Sequence, residues 1–252
     1  MKKKIVVANW KMNPGEPKLA EKIFSKIKRI ASRVPTVSVV VCPPNVYLQK
    51  LSTDSKKSRV EVGVQDIFYE EAGAYTGEVG SLLAKNSGAR YALVGHSERR
   101  RIGDTDPIVA KKVFAGLRAG LFIILCVGES SRDDHGVYLA HLHDQLMSAL
   151  SKVTTKMVQK LIIAYEPIWA IGKSEQDAIT PRDLHEMIIY IRKVLSDRFG
   201  LDAGSSVRVI YGGSVFPKNA KSFLTEGMAE GLLVGRESLI PESFELIIKS
   251  AS

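Results

Sequence analysis

Eight short apolar runs, each of four or five residues, restrict the fold of this chain more than any other feature of its sequence. They are too short for membrane spans or for typical helices. They are continuous rather than alternating, which is typical of strands that are buried on both faces of a parallel sheet. The runs predict eight parallel strands. They are Ile5–Ala8, Val37–Val41, Val60–Val64, Tyr91–Val94, Phe122–Cys126, Leu161–Tyr165, Val207–Ile210 and Gly231–Val234.

The segments between these runs carry apolar residues at helical spacing. The clearest stripe lies within Leu184–Leu195, and Thr180 and Pro181 before it are residues that commonly begin a helix. A second helix is expected to begin at Asp106. Eight strand–helix units predict an α/β fold of the (β/α)8 barrel type, as a single catalytic domain over residues 1–252.

A doubly wound open sheet is the structural alternative. Such a sheet normally has a glycine-rich G-x-G-x-x-G turn after its first strand. The residues that follow the first strand here, Asn9–Asn13, contain no glycine. We therefore favour the barrel.

The net charge of +9 indicates attraction for anions. The basic residues of the helical stretches have no interleaved aromatic residues, and no zinc spacing or nucleic-acid motif accompanies them. We interpret them as solvated surface and expect small anionic substrates, with no nucleic-acid or membrane partner. Cys42 and Cys126 end apolar runs and are expected to be buried, reduced thiols of a cytoplasmic protein. The basic residues of the helical stretches that we interpret as solvated surface are Lys26, Lys28, Arg29, Lys111 and Lys112.

Polar residues and glycines gather where the predicted strands end. In a parallel barrel these positions form one rim, and catalytic groups sit there. Glycines follow the seventh strand at 212 and 213 and the eighth strand at 235. Such turns let backbone N–H groups approach a ligand, and a helix that begins after them favours phosphate. The first, fourth and sixth strands deliver Asn9, Lys11, His96 and Glu166 to the same rim.

Glu166 has the features of a general base. Pro167 restricts its backbone to extended conformations, and the apolar residues Ile168–Ile171 would exclude water and favour proton uptake by the carboxylate. His96 precedes a predicted helix start, which disfavours a charged imidazole, so we expect a neutral hydrogen-bond donor. A base beside a neutral electrophile suits proton transfer next to a carbonyl. The remaining histidines are interpreted as structural: His135, His141, His143 and His185.

Five motifs lie along the chain, four of them at predicted strand ends: Ala8–Asn13, Gly73–Glu78, Gly95–Arg100, Tyr165–Gly172 and Tyr211–Val215. Together they resemble those of the triosephosphate isomerase family over essentially the whole chain. The resemblance implies a TIM barrel that interconverts dihydroxyacetone phosphate and D-glyceraldehyde 3-phosphate in glycolysis and gluconeogenesis. It implies acid–base proton transfer through an enediol(ate), without a cofactor or a metal.

The resemblance also implies a role for individual residues. Glu166 would be the base, and His96 would polarise the carbonyl and move protons between the two substrate oxygens. Lys11 would stabilise the enediolate and help to bind substrate, and Asn9 would hydrogen-bond near the substrate oxygens. Backbone N–H groups would bind the phosphate at Gly172, Ser214, Gly235 and Arg236. A lid would comprise Pro167, Ile168, Trp169, Ala170, Ile171, Gly172, Lys173, Ser174 and Glu175.

A homodimer is a further implication of the resemblance. The long loop Asp66–Glu78 would reach into the partner subunit, with Thr76 and Glu98 supporting the assembly. Two segments depart from the family pattern. Lys173–Glu175 replaces the common Thr-Gly-Lys at the end of the lid, and Arg236 stands where the family often has a second glycine. The sequence leaves open whether the Arg236 guanidinium points away from the phosphate or adds charge near it.

Two other functions are alternatives at this point. An aldolase-like phosphate-binding barrel enzyme would use Lys11 to form a Schiff base with its substrate. A catalytically silent barrel would serve only in binding. Retention of Asn9, Lys11, His96 and Glu166 together argues against the silent barrel.

Overall fold

A closed barrel of eight parallel strands forms the centre of the molecule in the computed structural model, which describes residues 3–133, 135–171 and 179–252. The strands follow one another around the barrel in chain order, and β1 pairs with β8 to close it. The strands are β1 Ile5–Asn9, β2 Ser38–Cys42, β3 Val60–Val64, β4 Tyr91–Val94, β5 Phe122–Val127, β6 Leu161–Tyr165, β7 Arg208–Tyr211 and β8 Gly231–Val234.

The predicted strands and barrel are confirmed. Four strands have the predicted bounds, and the others differ by one residue at one or both ends. Successive side chains of a strand point to opposite faces. Thus Ile5 and Val7 pack inside the barrel, whereas Val6 and Ala8 pack against the surrounding helices. Burial on both faces explains why these strands read as continuous apolar runs.

Helices cover the outside of the barrel, and short 3-10 turns lie at Met157–Lys160, Ile168–Ala170 and Arg236–Leu239. None of the described helices is both long and apolar enough to cross a membrane. The α-helices are α1 Pro17–Arg33, α2 Asn45–Ser55, α3 Ser81–Asn86, α4 Ser97–Arg101, α5 Asp106–Ala119, α6 Val137–Ala149, α7 Pro181–Phe199, α8 Leu201–Ser206, α9 Ala220–Thr225 and α10 Pro241–Ser250.

The two helix starts predicted from sequence are confirmed. At the start of α7, Thr180 Oγ1 accepts a hydrogen bond from Asp183 N at 3.1 Å, and Pro181 occupies the first turn. Helix α5 begins at Asp106 and is followed by Gly120, whose φ of +86° is the left-handed conformation that favours glycine at a helix end.

Lys112 corrects the interpretation of the basic residues as solvated surface. Its side chain on α5 is 1% exposed, and its Nζ lies 2.7 Å from Asp66 Oδ2 and 2.6 Å from Asp104 Oδ2. Burial raises the pKa of the Asp66 carboxyl, and the nearby Lys112 charge opposes that shift. Lys112 is buried because it lies three residues after Val109, on the same buried face of the helix.

The cysteines and the long loop agree with their predictions. Cys42 and Cys126 are buried free thiols, and burial raises the pKa of the Cys42 thiol to about 12. The connection between β3 and α3 spans residues 65–80, and every residue from 70 to 78 is exposed.

Candidate active site

A cavity of about 260 Å³ opens at the rim formed by the carboxyl ends of the strands. It is slightly smaller than the ~300–1,000 Å³ typical of drug-sized ligand sites, so its size suits a small metabolite. The structure brings together the side chains that the sequence placed on this rim. The predicted residues that line the cavity are Asn9, Lys11, His96, Glu166, Ile171, Ser214, Gly235 and Arg236.

His96 and Glu166 face each other across part of this cavity. His96 Nε2 lies 3.6 Å from Glu166 Oε1, and both side chains are largely buried. His96 is the N-cap residue of α4, and its Nδ1 accepts a hydrogen bond from Glu98 N at 3.2 Å. Because Nδ1 accepts, the ring carries its hydrogen on Nε2 and is neutral. The free N–H therefore points towards Glu166 and the cavity.

The Glu166 carboxylate is held by packing rather than by hydrogen bonds. It is 2% exposed, and neither oxygen has a hydrogen-bond partner within geometric limits among the described residues. The Cys126 thiol is close, and burial together with the Glu166 charge raises the pKa of that thiol. A Cβ added to Gly212 would lie 2.7 Å from Glu166 Cγ, so the absence of a side chain at Gly212 makes room for the carboxylate.

Lys11 is held in an uncommon backbone conformation with φ of +52°. Two hydrogen bonds support it, because Lys11 N donates to Asn9 Oδ1 at 3.0 Å and Gln65 Nε2 donates to Lys11 O at 2.8 Å. Its Nζ lies 2.7 Å from Glu98 Oε1. Burial favours the neutral form of Glu98, but Lys11 outweighs this effect and the pKa of the Glu98 carboxyl lies below its usual value.

The loops after β7 and β8 line the cavity, as predicted from the glycine-containing turns at the ends of these strands. Gly212, Gly213 and Ser214 line it after β7, and Gly235 and Arg236 line it after β8. A Cβ added to Gly235 would lie 3.5 Å from Lys11 Cε, so this turn is adjacent to the lysine side chain.

The described part of the predicted lid segment lies beside the cavity and contacts the loop after β7. Ile168–Ala170 form a 3-10 turn, Ser214 Oγ donates to Ala170 O at 2.8 Å, and Ile171 lines the cavity. Trp169 Nε1 donates to Glu129 Oε1 at 2.9 Å. The predicted lid residues Gly172, Lys173, Ser174 and Glu175 lie outside the described residues.

The sequence analysis missed the lining residues Phe216, Glu237 and Leu239, and it also missed two residues whose side chains support the site. Gln65 follows β3 and supports the backbone of Lys11. Glu129 follows β5, is 1% exposed, and accepts hydrogen bonds from Tyr165 Oη at 2.8 Å and from Trp169. Polar residues at the carboxyl ends of the other strands were selected as candidates. The same criterion applied to the third and fifth strands would have identified Gln65 and Glu129.

Comparison with known proteins agrees with this architecture. The family model described as triosephosphate isomerase matches residues 4–251. The triosephosphate isomerase of Thermoanaerobacter pseudethanolicus is 39% identical, covering 98% of this chain and 99% of that protein. That of Symbiobacterium thermophilum is 38% identical, covering 100% of this chain and 98% of that protein.

A solved structure gives the same result in three dimensions. The crystal structure of triosephosphate isomerase from Bartonella henselae superposes with a TM-score of 0.86 at 32% identity, covering 98% of each chain. A match of this extent in sequence and in structure shows common membership, and the chain belongs to the triosephosphate isomerase family.

Proposed function

We propose that Glu166, His96, Lys11 and Asn9 carry out the reaction of this triosephosphate isomerase, the interconversion of dihydroxyacetone phosphate and D-glyceraldehyde 3-phosphate. The observation that carries the proposal is the 3.6 Å approach of a buried carboxylate to the N–H of a neutral imidazole at the rim of the barrel. Proton transfer next to a carbonyl needs a base at the carbon and a hydrogen-bond donor at the oxygen.

The proposed chemistry moves one proton between neighbouring carbons. Glu166 removes a proton from the carbon beside the carbonyl, while the Nε2–H of His96 donates to the carbonyl oxygen. Negative charge develops on the enediolate, and the Lys11 ammonium and the Asn9 amide stabilise it. His96 gives its Nε2 proton to the former carbonyl oxygen and takes the proton of the neighbouring hydroxyl, which moves one proton between the two oxygens and restores the neutral ring. Glu166 then returns its proton to the other carbon, which completes the isomerisation, and the same steps run in reverse.

The phosphate is proposed to bind between the loops after β7 and β8. Backbone N–H groups of Ser214, Gly235 and Arg236 are the donors, and Gly172 of the lid adds another. Two observations support this assignment: Ser214, Gly235 and Arg236 all line the cavity, and Gly235 lies beside the Lys11 side chain. A positive charge beside the turn favours a dianionic group.

The lid is proposed to exclude water from the enediolate. Exclusion of water limits side reactions of a reactive intermediate, in this case the loss of phosphate. The support is the hydrogen bond between Ser214 and Ala170, which joins the lid to the loop after β7.

A Schiff base at Lys11 is disfavoured by the surroundings of that side chain. Its Nζ forms an ion pair with Glu98 Oε1 at 2.7 Å, and attack of the lysine nitrogen on a substrate carbonyl would have to break this pair. Borohydride treatment with substrate present should leave Lys11 unmodified, and a reduced adduct on Lys11 would establish the aldolase-like alternative.

The decisive experiment is a coupled assay of isomerisation with each triose phosphate. Replacing Glu166 by Gln should lower kcat by about 10²–10⁴-fold, because a general base is removed while its volume is kept. Glu237 is a matched control, since its carboxylate also borders the cavity but accepts a hydrogen bond from Ser243 Oγ. The Glu237→Gln variant should retain activity. No turnover by the native protein, or near-native turnover by Glu166→Gln, would reject the proposal.

We further propose that the chain is a cytoplasmic homodimer. The support is the projecting loop 70–78, in which Thr76 is exposed and Tyr75 remains 44% exposed despite its aromatic ring. Glu98 contacts Lys11 of its own chain, so its proposed support of the dimer would act through that lysine. Two buried free thiols suit a reducing compartment.

Light scattering on the native protein tests the assembly. Thr76→Arg should convert the dimer to a monomer with reduced activity, because a long cation would occupy the space expected for the partner subunit. Lys111→Ala, on the exposed face of α5, serves as the control. A native protein that is monomeric at micromolar concentration would contradict the proposal.

A further inference from the structure

The Gln145 side chain binds both backbone polar groups of Gly128, the residue that follows β5. Gln145 lies on α6 and is 4% exposed. Its Oε1 accepts from Gly128 N at 2.9 Å, and its Nε2 donates to Gly128 O at 3.2 Å. A backbone N–H has to meet an acceptor and a backbone carbonyl has to meet a donor, so the two bonds together fix the orientation of the amide.

His141 takes the remaining N–H of the same amide. Gln145 Nε2 lies 2.8 Å from His141 Nε2, one helical turn earlier on α6. Because the amide nitrogen only donates, the imidazole nitrogen accepts, and the ring carries its own hydrogen on Nδ1. Both N–H groups of Gln145 are thus bonded, which leaves the side chain a single orientation.

Gly128 in turn lies directly against the backbone of Glu166. A Cβ added to Gly128 would be 2.0 Å from Glu166 O and 2.5 Å from its carbonyl carbon. On either side of this contact, Glu166 N donates to Val127 O at 2.8 Å and Ile168 N donates to Glu129 O at 2.9 Å. The backbone around Gly128 therefore fixes the backbone of Glu166.

This backbone matters because hydrogen bonds among the described residues do not hold the Glu166 carboxylate. We propose that Gln145 is a positioning residue for Glu166, acting through Gly128 from a helix on the outside of the barrel. The inference rests on the proposed function, in which Glu166 is the base. It adds a residue of α6 that never touches substrate but determines where the base stands.

Replacement of Gln145 by Met tests the proposal, since Met has similar length and makes none of the three hydrogen bonds. A misplacement of ~1 Å at a reacting group costs about 10²-fold in rate. We expect kcat to fall by about 10–100-fold. KM should change by less than about twofold, because the proposed phosphate site lies in the loops after β7 and β8, away from Gln145. A native kcat in folded protein, or a rise in KM with kcat unchanged, would overturn the proposal.

The same substitution in the Glu166→Gln background separates positioning from a general structural effect. If Gln145 acts through the base, Gln145→Met should not lower the residual rate further once the base is gone, because residues that act as a unit are not additive. A further loss of 10-fold or more would mean that Gln145 supports something else. Near-native activity of Glu166→Gln alone would instead reject the proposed function, so the two failures are distinguishable.

His141→Ala provides a variant that should fold, because the His141 side chain is exposed. Loss of one hydrogen bond from Gln145 should lower kcat by about two- to tenfold with KM unchanged. His143→Ala is the matched control, since His143 is also exposed on α6 and contacts Asp144 rather than Gln145. Equal kcat in the two variants would count against the proposal even if Gln145→Met does not fold.

Discussion

Gly212→Ala should reduce activity because Gly212 and Glu166 are too close for a methyl group between them. The added Cβ would lie 2.7 Å from Glu166 Cγ and 3.2 Å from Oε1. Ordinary contact begins near 3.4 Å, so the two groups have to separate by at least about 0.7 Å. The φ of Gly212 is not positive, so alanine adds no backbone strain.

The magnitude follows from that displacement. Since a shift of ~1 Å at a catalytic group costs about 10²-fold, we expect kcat to fall by about 10–100-fold, or ~1.4–2.7 kcal/mol in activation free energy. The assay is the coupled measurement of kcat and KM for both triose phosphates, with thermal melting to show that the variant is folded.

Gly15→Ala is the control for this experiment. An alanine Cβ at Gly15 meets no described atom within 4 Å, so this variant should keep native kcat. If folded Gly212→Ala keeps kcat within about threefold of the native value, the carboxylate does not need the position seen beside Gly212, and the reasoning is refuted.

Three other substitutions test further features of the structure. Lys112→Ala should lower the free energy of unfolding by about 3 kcal/mol in urea titrations, because the buried Asp104 and the partly buried Asp66 would then keep only Arg99 as a cationic partner; Lys111→Ala should change it little, and equal effects would contradict the role of the buried Lys112. Arg236→Ala should raise KM severalfold with kcat unchanged, less so at high salt, because an exposed guanidinium at the cavity attracts phosphate; an unchanged KM would leave only a backbone role. The pKa of Glu98 is lowered in the folded protein, so the ionised carboxylate stabilises the fold at pH values above its unfolded-state pKa of about 4.3. This contribution is lost as the pH falls through the folded-state pKa. Between pH 5 and pH 3 the melting temperature of Glu98→Gln should therefore fall less than that of the native protein. An equal fall in both proteins would show that the ion pair with Lys11 does not contribute to stability.

The strands and the rim of the active site could be predicted because their signals are local in sequence. A strand buried on both faces needs continuous apolar residues, so all eight runs were visible, and Glu166 was recognisable as the polar end of one of them. Parallel strands place their carboxyl ends on one side, which assigned His96, Lys11 and Glu166 to a common rim before any distance was known.

The supporting contacts could not be predicted because they join segments that are distant in the chain. Gln65 reaches Lys11 across 54 positions, and Gln145 reaches Gly128 across 17. Lysine is a residue type usually found at the surface, and Lys112 is accommodated on the buried face of α5 because Asp66 and Asp104 form ion pairs with it. Helical periodicity describes which face a residue occupies, but it does not say what lies opposite that face.

The sequence by itself determined the eight strands, the barrel and the residue types gathered at one rim. Only the tertiary structure decided that His96 Nε2 lies 3.6 Å from Glu166 Oε1, with Gly212 packed against the Glu166 side chain and Gly128 against its backbone. The physical reason is that each strand is encoded by a local run of apolar residues with polar residues at its end. The distances instead depend on closure of the barrel and on packing between strands that are far apart in sequence.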